Sequence, residues 1–512
     1  MIRIGIDVGG TNTDAVAIHG SQVLHAVKTP TTADITSGIL AALRAVLAGA
    51  ALAPARIGAV MIGTTHFTNA VVQRRGLAPA AAIRIGLPAA ATLPPFIDWP
   101  PDLRDEVRGP VAMLRGGHEV DGRPLVPFDH AAMRAAAREI AASGVAAAGI
   151  CAVFSPLNAE IEQQAAAILA EEAPGVAVTL SHELGRIGLL ARENVTLLNA
   201  ALAPLAHRTI AAFAAALAAS GIAAPLYITQ NDGTVATAAE AAAYPVRSFA
   251  SGPTNSLRGA AFLSGLSDAM VVDVGGTTTD VGSLVHGFPR EANSVVEIGG
   301  VRTLFRMPDL VSVGLGGGTL VDPANPHNIG PVSVGYRLPE RARIFGGPDL
   351  TCTDIAVAAG LVSLGDPAQI AGLDRAFVAA ALARIHAIIA DAVDRMRADS
   401  RALPLVAVGG GAFLVPEQLP GISQVVRVEN QGVANALGAA IAQVSGEVDQ
   451  VFQGMTRENA MASARDIATQ RAIRAGANPA SIALVDQEDI PIAYLPGNSL
   501  RVRARVVGDV AG

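Results

Sequence analysis

The chain has 512 residues, enough for roughly two to four domains with sizeable cores. Its formal charge of −7 with no basic run excludes nucleic acid as a primary partner, and its single lysine, Lys28, has no Gly-rich loop before it, which excludes a Walker A phosphate loop. Hydrophobic residues make up 51% but aromatics only 4%, so the apolar content is aliphatic and suits helices packed on parallel or mixed sheets.

In chain order, Ile2, Ile4 and Ile6 alternate on one face, Gly9-Gly10 follows, then Ala15 to Ile18 and the stretch "QVLHAVKTP". This predicts a strand, a tight turn eased by glycine, a second strand and a third. No basic region and apolar run precede the first strand, so no secretory leader is expected. Helical spacing runs from Ile35 to Leu47, and "RIGAVMIGTT" reads as a buried strand entering a loop. Residues 86–129 are rich in Pro and Gly and read as loops or short strands. Helices and strands then alternate to about Ala191, including the apolar "AAGICAVFSP" and an amphipathic helix from Glu160 to Glu172.

A long helix from Asn194 to Ser220 is expected to bridge into the second half. Mean hydropathy is positive, but this most apolar helix carries His207 and Arg208 mid-span, which argues against a membrane protein. "PLYITQNDG" predicts a strand, Leu403 to Val415 a strand ending in Gly409-Gly410-Gly411, and Val433 to Val444 a helix. After Gly446 come a polar helix, Arg457 to Ala475, and a hairpin around "YLPGNSLRVRARVVG". Cys151 and Cys352 are the only cysteines and lie far apart, as reduced thiols of a cytoplasmic protein would, and they are too few for a cluster-bearing activator.

One motif is written twice. Asp7-Val8-Gly9-Gly10-Thr11-Asn12-Thr13-Asp14 returns as Asp273-Val274-Gly275-Gly276-Thr277-Thr278-Thr279-Asp280, a separation that fits a duplicated domain. Phosphate oxygens need converging N–H donors, and a Gly-Gly turn lets backbone amides approach without Cβ interference. Thr11, Thr13, Thr277 and Thr278 add hydroxyls, while Asp7 and Asp273, each ending a buried strand, suit Mg²⁺ held through water. Asp14 and Asp280 are read as braces for their hairpins. An apolar strand entering Gly409-Gly410-Gly411, followed by a small-residue helix, offers bare backbone to adenine and ribose.

That order of two hairpins and a glycine turn resembles the signature of the actin-like ATPase superfamily. Within it, "IGTTHFTNAVVQRRG", "LARENVTLLNAALAP", "SGPTNSLRGAA", "VGLGGGT", "GPVSVG" and "LTCTDIAVAAG" resemble the ATP-binding, A-type subunit of the hydantoinase/oxoprolinase family. The resemblance implies an α/β fold of two ribonuclease-H-like lobes with an interlobe nucleotide cleft. The lobes are expected at 1–190 and 191–445, with a small helix-hairpin segment at 446–512. It implies ATP and Mg²⁺ as cofactors, with Gly9, Gly10, Thr11, Asn12, Thr13, Gly275, Gly276, Thr277, Thr278 and Gly409 to Gly411 holding nucleotide. Thr64, Thr65, His66, Asn69 and Arg75 fall in the family's loop and are candidate substrate contacts. For the Arg74-Arg75 pair a solvated helix end is the competing reading, and Asp354 is either a helix N-cap or a site residue. Cys151 reads as core.

The implied activity is ATP-dependent ring opening of a cyclic amide such as a hydantoin or 5-oxoproline, through a phosphorylated intermediate and with a second, B-type subunit. A carboxylase subunit of the same family, a small-molecule kinase and an ATP-driven chaperone or reactivase are the alternatives. No hydrolytic apparatus of known spacing is visible: no His-Glu-Xaa-Xaa-His, no Gly-Xaa-Ser-Xaa-Gly. Substrate identity stays open, as does a homo-oligomer.

Overall fold

The computed structural model describes every residue except 10–11, 31–34, 293–294, 399, 493–498 and 512. Ile2–Val8 pairs antiparallel with Asn12–His19, and that strand with Gln22–Pro30. On its other side Ile2–Val8 runs parallel to Ile57–Thr64, which runs parallel to Leu226–Thr229. Numbered within the lobe, the spatial order is 3-2-1-4-5. The second sheet repeats it with Phe288–Pro289, Thr279–Val285, Ala269–Val274, Leu403–Val408 and Ile422–Arg427, with the same directions of pairing. Even the register is shared, since Asp7 lies opposite Asp14 and Asp273 opposite Asp280. The repeated motif therefore marks a repeated fold.

The central strands are buried on both faces, as near-continuous Ile and Val runs require. Between strands four and five of the first lobe the chain inserts a parallel four-stranded sheet, ordered 108–115, 80–87, 147–152, 177–180. The Pro/Gly-rich 86–129 region is thus more regular than its composition suggests, holding the helix Pro101–Val107 and the eight-residue strand Arg108–Arg115. The strand is only half-buried at the sheet edge, so it lacks the apolar run that marks a central strand.

The segment from 446 is built into the first lobe. Gln443–Phe452, Leu500–Gly508 and Ala483–Pro491 extend the first sheet through Thr234–Thr237 to nine strands, so its hydrogen bonds cross the positions 190 and 445. Helix Arg457–Arg474 covers these strands with Ala460, Ala464, Ala468 and Ala472, spaced by four along one face. The Pro-Gly tip expected in the terminal hairpin lies outside the described residues.

Two helices are long and apolar enough by composition to cross a membrane. Leu189–Ala219 is buried for much of its length between the sheets, with Asn194 receiving the Trp99 indole N–H at 2.7 Å. Arg375–Met396 buries Val378, Ala381, Ile385, Ile389, Ala392 and Met396, one stripe at helical spacing, as a helix lying on a sheet does.

The helices that follow each lobe's fifth strand, Ser251–Ser264 and Ala434–Ile441, cross between the lobes at backbone contact. A Cβ on Gly438 would lie 1.8 Å from the carbonyl oxygen of Asn255, and one on Gly259 would lie 2.0 Å from that of Ala434. Only glycine permits this approach, and it brings both lobes' strand ends to one place.

Candidate functional site

Asp7 and Asp273 close the central strands of the two lobes and are both buried, 7% and 8% exposed. The crossing helices connect them. The Asn435 side-chain amide donates to Oδ2 of Asp7 at 3.3 Å, and the Ser256 hydroxyl lies within hydrogen-bond reach of both Oδ1 of Asn435 and Oδ2 of Asp273. A hydroxyl has one proton to give. With both carboxylates ionised this chain is one proton short. Burial supplies a reason for it to be held: it pushes Asp7 up to about 7, with repulsion from Asp14 adding to the shift, and it raises Asp273 against the opposing Ser256 bond. The other oxygen of Asp7, Oδ1, is buried without a well-formed hydrogen bond, the Asn255 side chain being near enough only to steady the carboxylate. Leaving such a group unsatisfied costs about 1–3 kcal/mol, so its retention points to a ligand that satisfies it.

In the first hairpin the Gly9 N–H donates to Asn12 O at 3.0 Å, and in the second Gly275 N–H donates to Thr278 O at 2.9 Å. Gly10 and Thr11 lie outside the described residues. Gly275, Gly276, Thr277 and Thr278 form an accessible tip, with both threonines exposed. Thr13 differs. It is 1% exposed, like its counterpart Thr279, whose hydroxyl donates to Leu315 O, and strand alternation turns both inward beneath their hairpins. The sequence reading of Thr13 as a phosphate-facing hydroxyl missed that alternation.

The loop after Leu310–Val313 packs on the second hairpin, with Gly317 and Gly318 N–H groups donating to Gly275 O and Gly276 O at 3.0 and 2.8 Å. Asp14 pairs with Lys28 at 2.5 Å, and Asp280 is bonded by Ser312 from the neighbouring strand, so both act as braces.

Gly409 has φ +90°, donates to Gln431 O at 2.9 Å, and leaves no room for a Cβ, which would lie 2.2 Å from Oδ1 of Asp273. Gly411 N–H donates to Val274 O at 2.7 Å, while Gly410 faces open space. The turn is held at one end by Gln431 and at the other by Val274 of the second hairpin, and is bare in the middle.

Thr64 ends the fourth strand beside Val8, and its carbonyl accepts the Ser251 hydroxyl at 3.0 Å. Thr65 precedes helix His66–Gln73, and the Asn69 amide reaches Thr65 Oγ1 at 3.4 Å one turn on. His66 is held toward its neutral form by burial. These four residues come together next to the first hairpin. Arg75 does not join them: it is exposed beyond the far end of that helix.

Arg74 is the left-handed C-cap, tied to Asp102 and to Gly299 O, so it holds structure rather than an anion. Asp354 is the third residue of a capping box in which Thr351 is the N-cap, and its other oxygen accepts from Ile344 N–H. Cys151 is buried, with its thiol pushed up to about 12 by burial. The sequence reading missed Asn435 and Ser256, because nothing local in either helix reveals that they meet.

Two ribonuclease-H-like lobes, each with an Asp-Val-Gly-Gly hairpin and meeting at their crossing helices, define an actin-like ATPase fold. Residues 3–173 match the hydantoinase/oxoprolinase N-terminal region and residues 192–369 match the hydantoinase/oxoprolinase domain. Together these cover more than half the chain, which therefore belongs to the hydantoinase/oxoprolinase family. It is 28% identical over 416 residues to caprolactamase subunit alpha of Pseudomonas jessenii, covering 76% of this chain and 58% of that protein. It is also 28% identical over 394 residues to acetophenone carboxylase gamma subunit of Aromatoleum aromaticum, covering 70% and 53%.

The chain thus spans little more than half the length of these relatives. Among solved structures, ATP-dependent caprolactamase from Pseudomonas jessenii superposes with a TM-score of 0.79 at 20% identity, covering 99% of this chain and 87% of that one. Nucleotide-free acetone carboxylase gives 0.69 at 18% identity, covering 99% and 88%. Both have this fold. Among the described residues no group of three or more His, Cys, Asp or Glu side chains is arranged to hold a metal.

Proposed function

We propose that the chain binds ATP and Mg²⁺ between its lobes and phosphorylates the carbonyl oxygen of a cyclic amide such as a hydantoin or 5-oxoproline. Ring opening is completed with a second, B-type subunit. The observation that carries this reading is the hydrogen-bonded path Asp7–Asn435–Ser256–Asp273, which brings the equivalent acids of two equivalent lobes to one interface. The buried Oδ1 of Asp7, with no well-formed hydrogen bond, fits a hydrated cation, so Asp7 and Asp273 are the residues that would hold Mg²⁺, through water. Bound there, the ion supplies positive charge against the phosphate oxygens. The amides and hydroxyls of the two hairpins, Gly9 to Asn12 and Gly275 to Thr278, donate to phosphate oxygens, and the bare Gly410 backbone accepts the adenosine face.

Phosphoryl transfer asks a protein chiefly for position and charge stabilisation, both of which rigid hairpins provide. A ring amide is a poor electrophile. Once its carbonyl oxygen carries the phosphoryl group, water adds to that carbon, and the ring C–N bond breaks as the nitrogen takes a proton and leaves. The acyl phosphate so formed is hydrolysed at its C–O bond to carboxylate and phosphate. Thr65, His66 and Asn69 are the proposed substrate contacts, by their place beside the first hairpin; Thr64 is 1% exposed with its hydroxyl accepting from the His66 N–H, so it supports the loop instead. The likeness to caprolactamase subunit alpha supports an amide substrate. The carboxylase reading has its own support in the acetophenone carboxylase gamma subunit. That these relatives are named as subunits supports a partner for this chain.

Phosphate release is to be screened with cyclic amides, and separately with ketones plus bicarbonate, each with and without the candidate second subunit. Stimulation by a cyclic amide with ring-opened product supports the reading, and stimulation only by ketone with bicarbonate moves the chain to the carboxylases. A stable phosphorylated small molecule as end product would make it a kinase instead.

A further inference from the structure

A cavity of about 770 Å³ opens between the residues following strand Ala177–Leu180, the strand Gln443–Phe452 and the end of helix Arg457–Arg474. A small organic ligand fits that volume. Its wall at Gln230, Asn231 and Asp232 continues from Thr229, whose hydroxyl accepts the Asn255 amide beside the first hairpin. The cavity shares none of the residues assigned to nucleotide.

Charge in the wall is unevenly matched. Arg306 is answered by Asp232, Glu291 and Glu447, and Arg501 by Asp449. Three guanidinium groups are matched less fully. Arg247 lies over the Tyr244 ring, donates to Glu183 O, and pairs with one carboxylate, Glu240, at 3.5 Å. Arg471 donates to one carbonyl, Glu447 O, and Arg474 has no partner among the described residues. Basic residues in a helix's last turn complement its dipole, which accounts for Arg471 and Arg474 alone. It does not account for Arg247 converging on them from a separate turn, close enough that the three charges repel.

His182 lines the same cavity. Its Nδ1 is 2.7 Å from Oε2 of Glu162, a fully buried carboxylate that also accepts from the Ser181 hydroxyl and from the Ala152 and His182 N–H groups. These bonds fix the imidazole and leave Nε2 as the nitrogen offered to a ligand. A buried carboxylate orienting a half-buried histidine toward a cavity is the arrangement of an acid–base group.

We propose that this cavity is a second ligand site, for a small molecule bearing a carboxylate or phosphate group, with Arg247, Arg471 and Arg474 holding the oxyanion and Nε2 of His182 bonding its other polar end. Guanidinium forks match both oxyanions in geometry, and three that converge, Arg471 and Arg474 from the exposed end of the helix and Arg247 from its own turn, present more positive charge to one anion than a single arginine does.

The test is calorimetric titration of the full chain with inorganic phosphate and, separately, with glutarate. Saturable binding of either anion that the arginine variants weaken supports the site, and which of the two behaves so tells phosphate from carboxylate. Arg474→Ala removes a side chain without partners, so the fold should persist with an unchanged melting temperature. This variant and Arg471→Ala are each expected to weaken binding at least about tenfold, or 1.4 kcal/mol, while the response to ATP with Mg²⁺ stays as in the unaltered chain. Glu162→Gln is expected to weaken binding by freeing the imidazole. Absence of binding for both anions at millimolar concentration would overturn the proposal. So would binding that Arg474→Ala and Arg471→Ala leave unchanged.

Discussion

At the residue level the two aspartates are the legible part of the site. An acid at the end of an Ile/Val strand, followed by Gly-Gly and threonines and written twice, leaves few structural readings, and Asp7 and Asp273 do take equivalent places. What joins them was not legible, since Asn435 and Ser256 lie in small-residue helices and meet only through the crossing. We expect Asp7→Asn and Asp273→Asn to stay folded and each to lose at least ~100-fold in ATP turnover, about 2.7 kcal/mol of barrier. Near-native phosphate release by either variant would remove that carboxylate from the metal's surroundings. Asp280 allows a pH prediction away from the reaction. Burial, its largest perturbation, lifts it to about 6, opposed by the Ser312 bond. The folded state holds this proton more tightly than the unfolded state. Its contribution is therefore complete below the unfolded value near 3.8 and is lost as pH rises through about 6. Urea unfolding at stepped pH should show a shallower loss of stability between about pH 4 and 6 in Asp280→Asn than in the unaltered chain. Equal slopes would count against a partly buried, proton-holding Asp280.

At the level of elements, periodicity served where a segment faces one environment. The central strands and the helix Glu160–Glu172 follow from it. It failed at sheet edges, as in Arg108–Arg115, where half-burial blurs alternation. The crossing helices carry a different signal, glycine and alanine at the positions where backbones touch. Gly438→Ala would set a methyl carbon against the Asn255 carbonyl, at 1.8 Å in the present geometry. Overpacking of this kind typically costs about 1–3 kcal/mol, and here relief requires the helices to part, which carries Asn435 away from Asp7. The variant should melt several degrees lower and also lose ATP turnover. Unchanged melting with unchanged turnover would show that the helices do not hold the lobes in register.

For the whole molecule, the duplication was visible in two octapeptides, but the pairing of the last strands with the first sheet was not, because strand partners distant in sequence leave no local trace. Val448, Val502 and Val506 are buried in that extension under the alanine face of Arg457–Arg474. A chain ending at 445 should therefore lose cooperative melting, since it exposes the edge strand Thr234–Thr237 and this apolar face together. If residues 1–445 melt within a few degrees of the full chain, the extension is dispensable. The central claim, that the lobes place a phosphoryl group on an amide carbonyl oxygen, is tested most directly by isotope. A cyclic amide that the chain and its second subunit turn over would be labelled with oxygen-18 at the carbonyl, and the phosphate released would be weighed by mass spectrometry. Breakage of the ring C–N bond to an acyl phosphate, followed by hydrolysis of that acyl phosphate at its C–O bond, predicts one labelled oxygen in the inorganic phosphate for each ring opened. Label found wholly in the ring-opened carboxylate, with none in phosphate, would contradict the account.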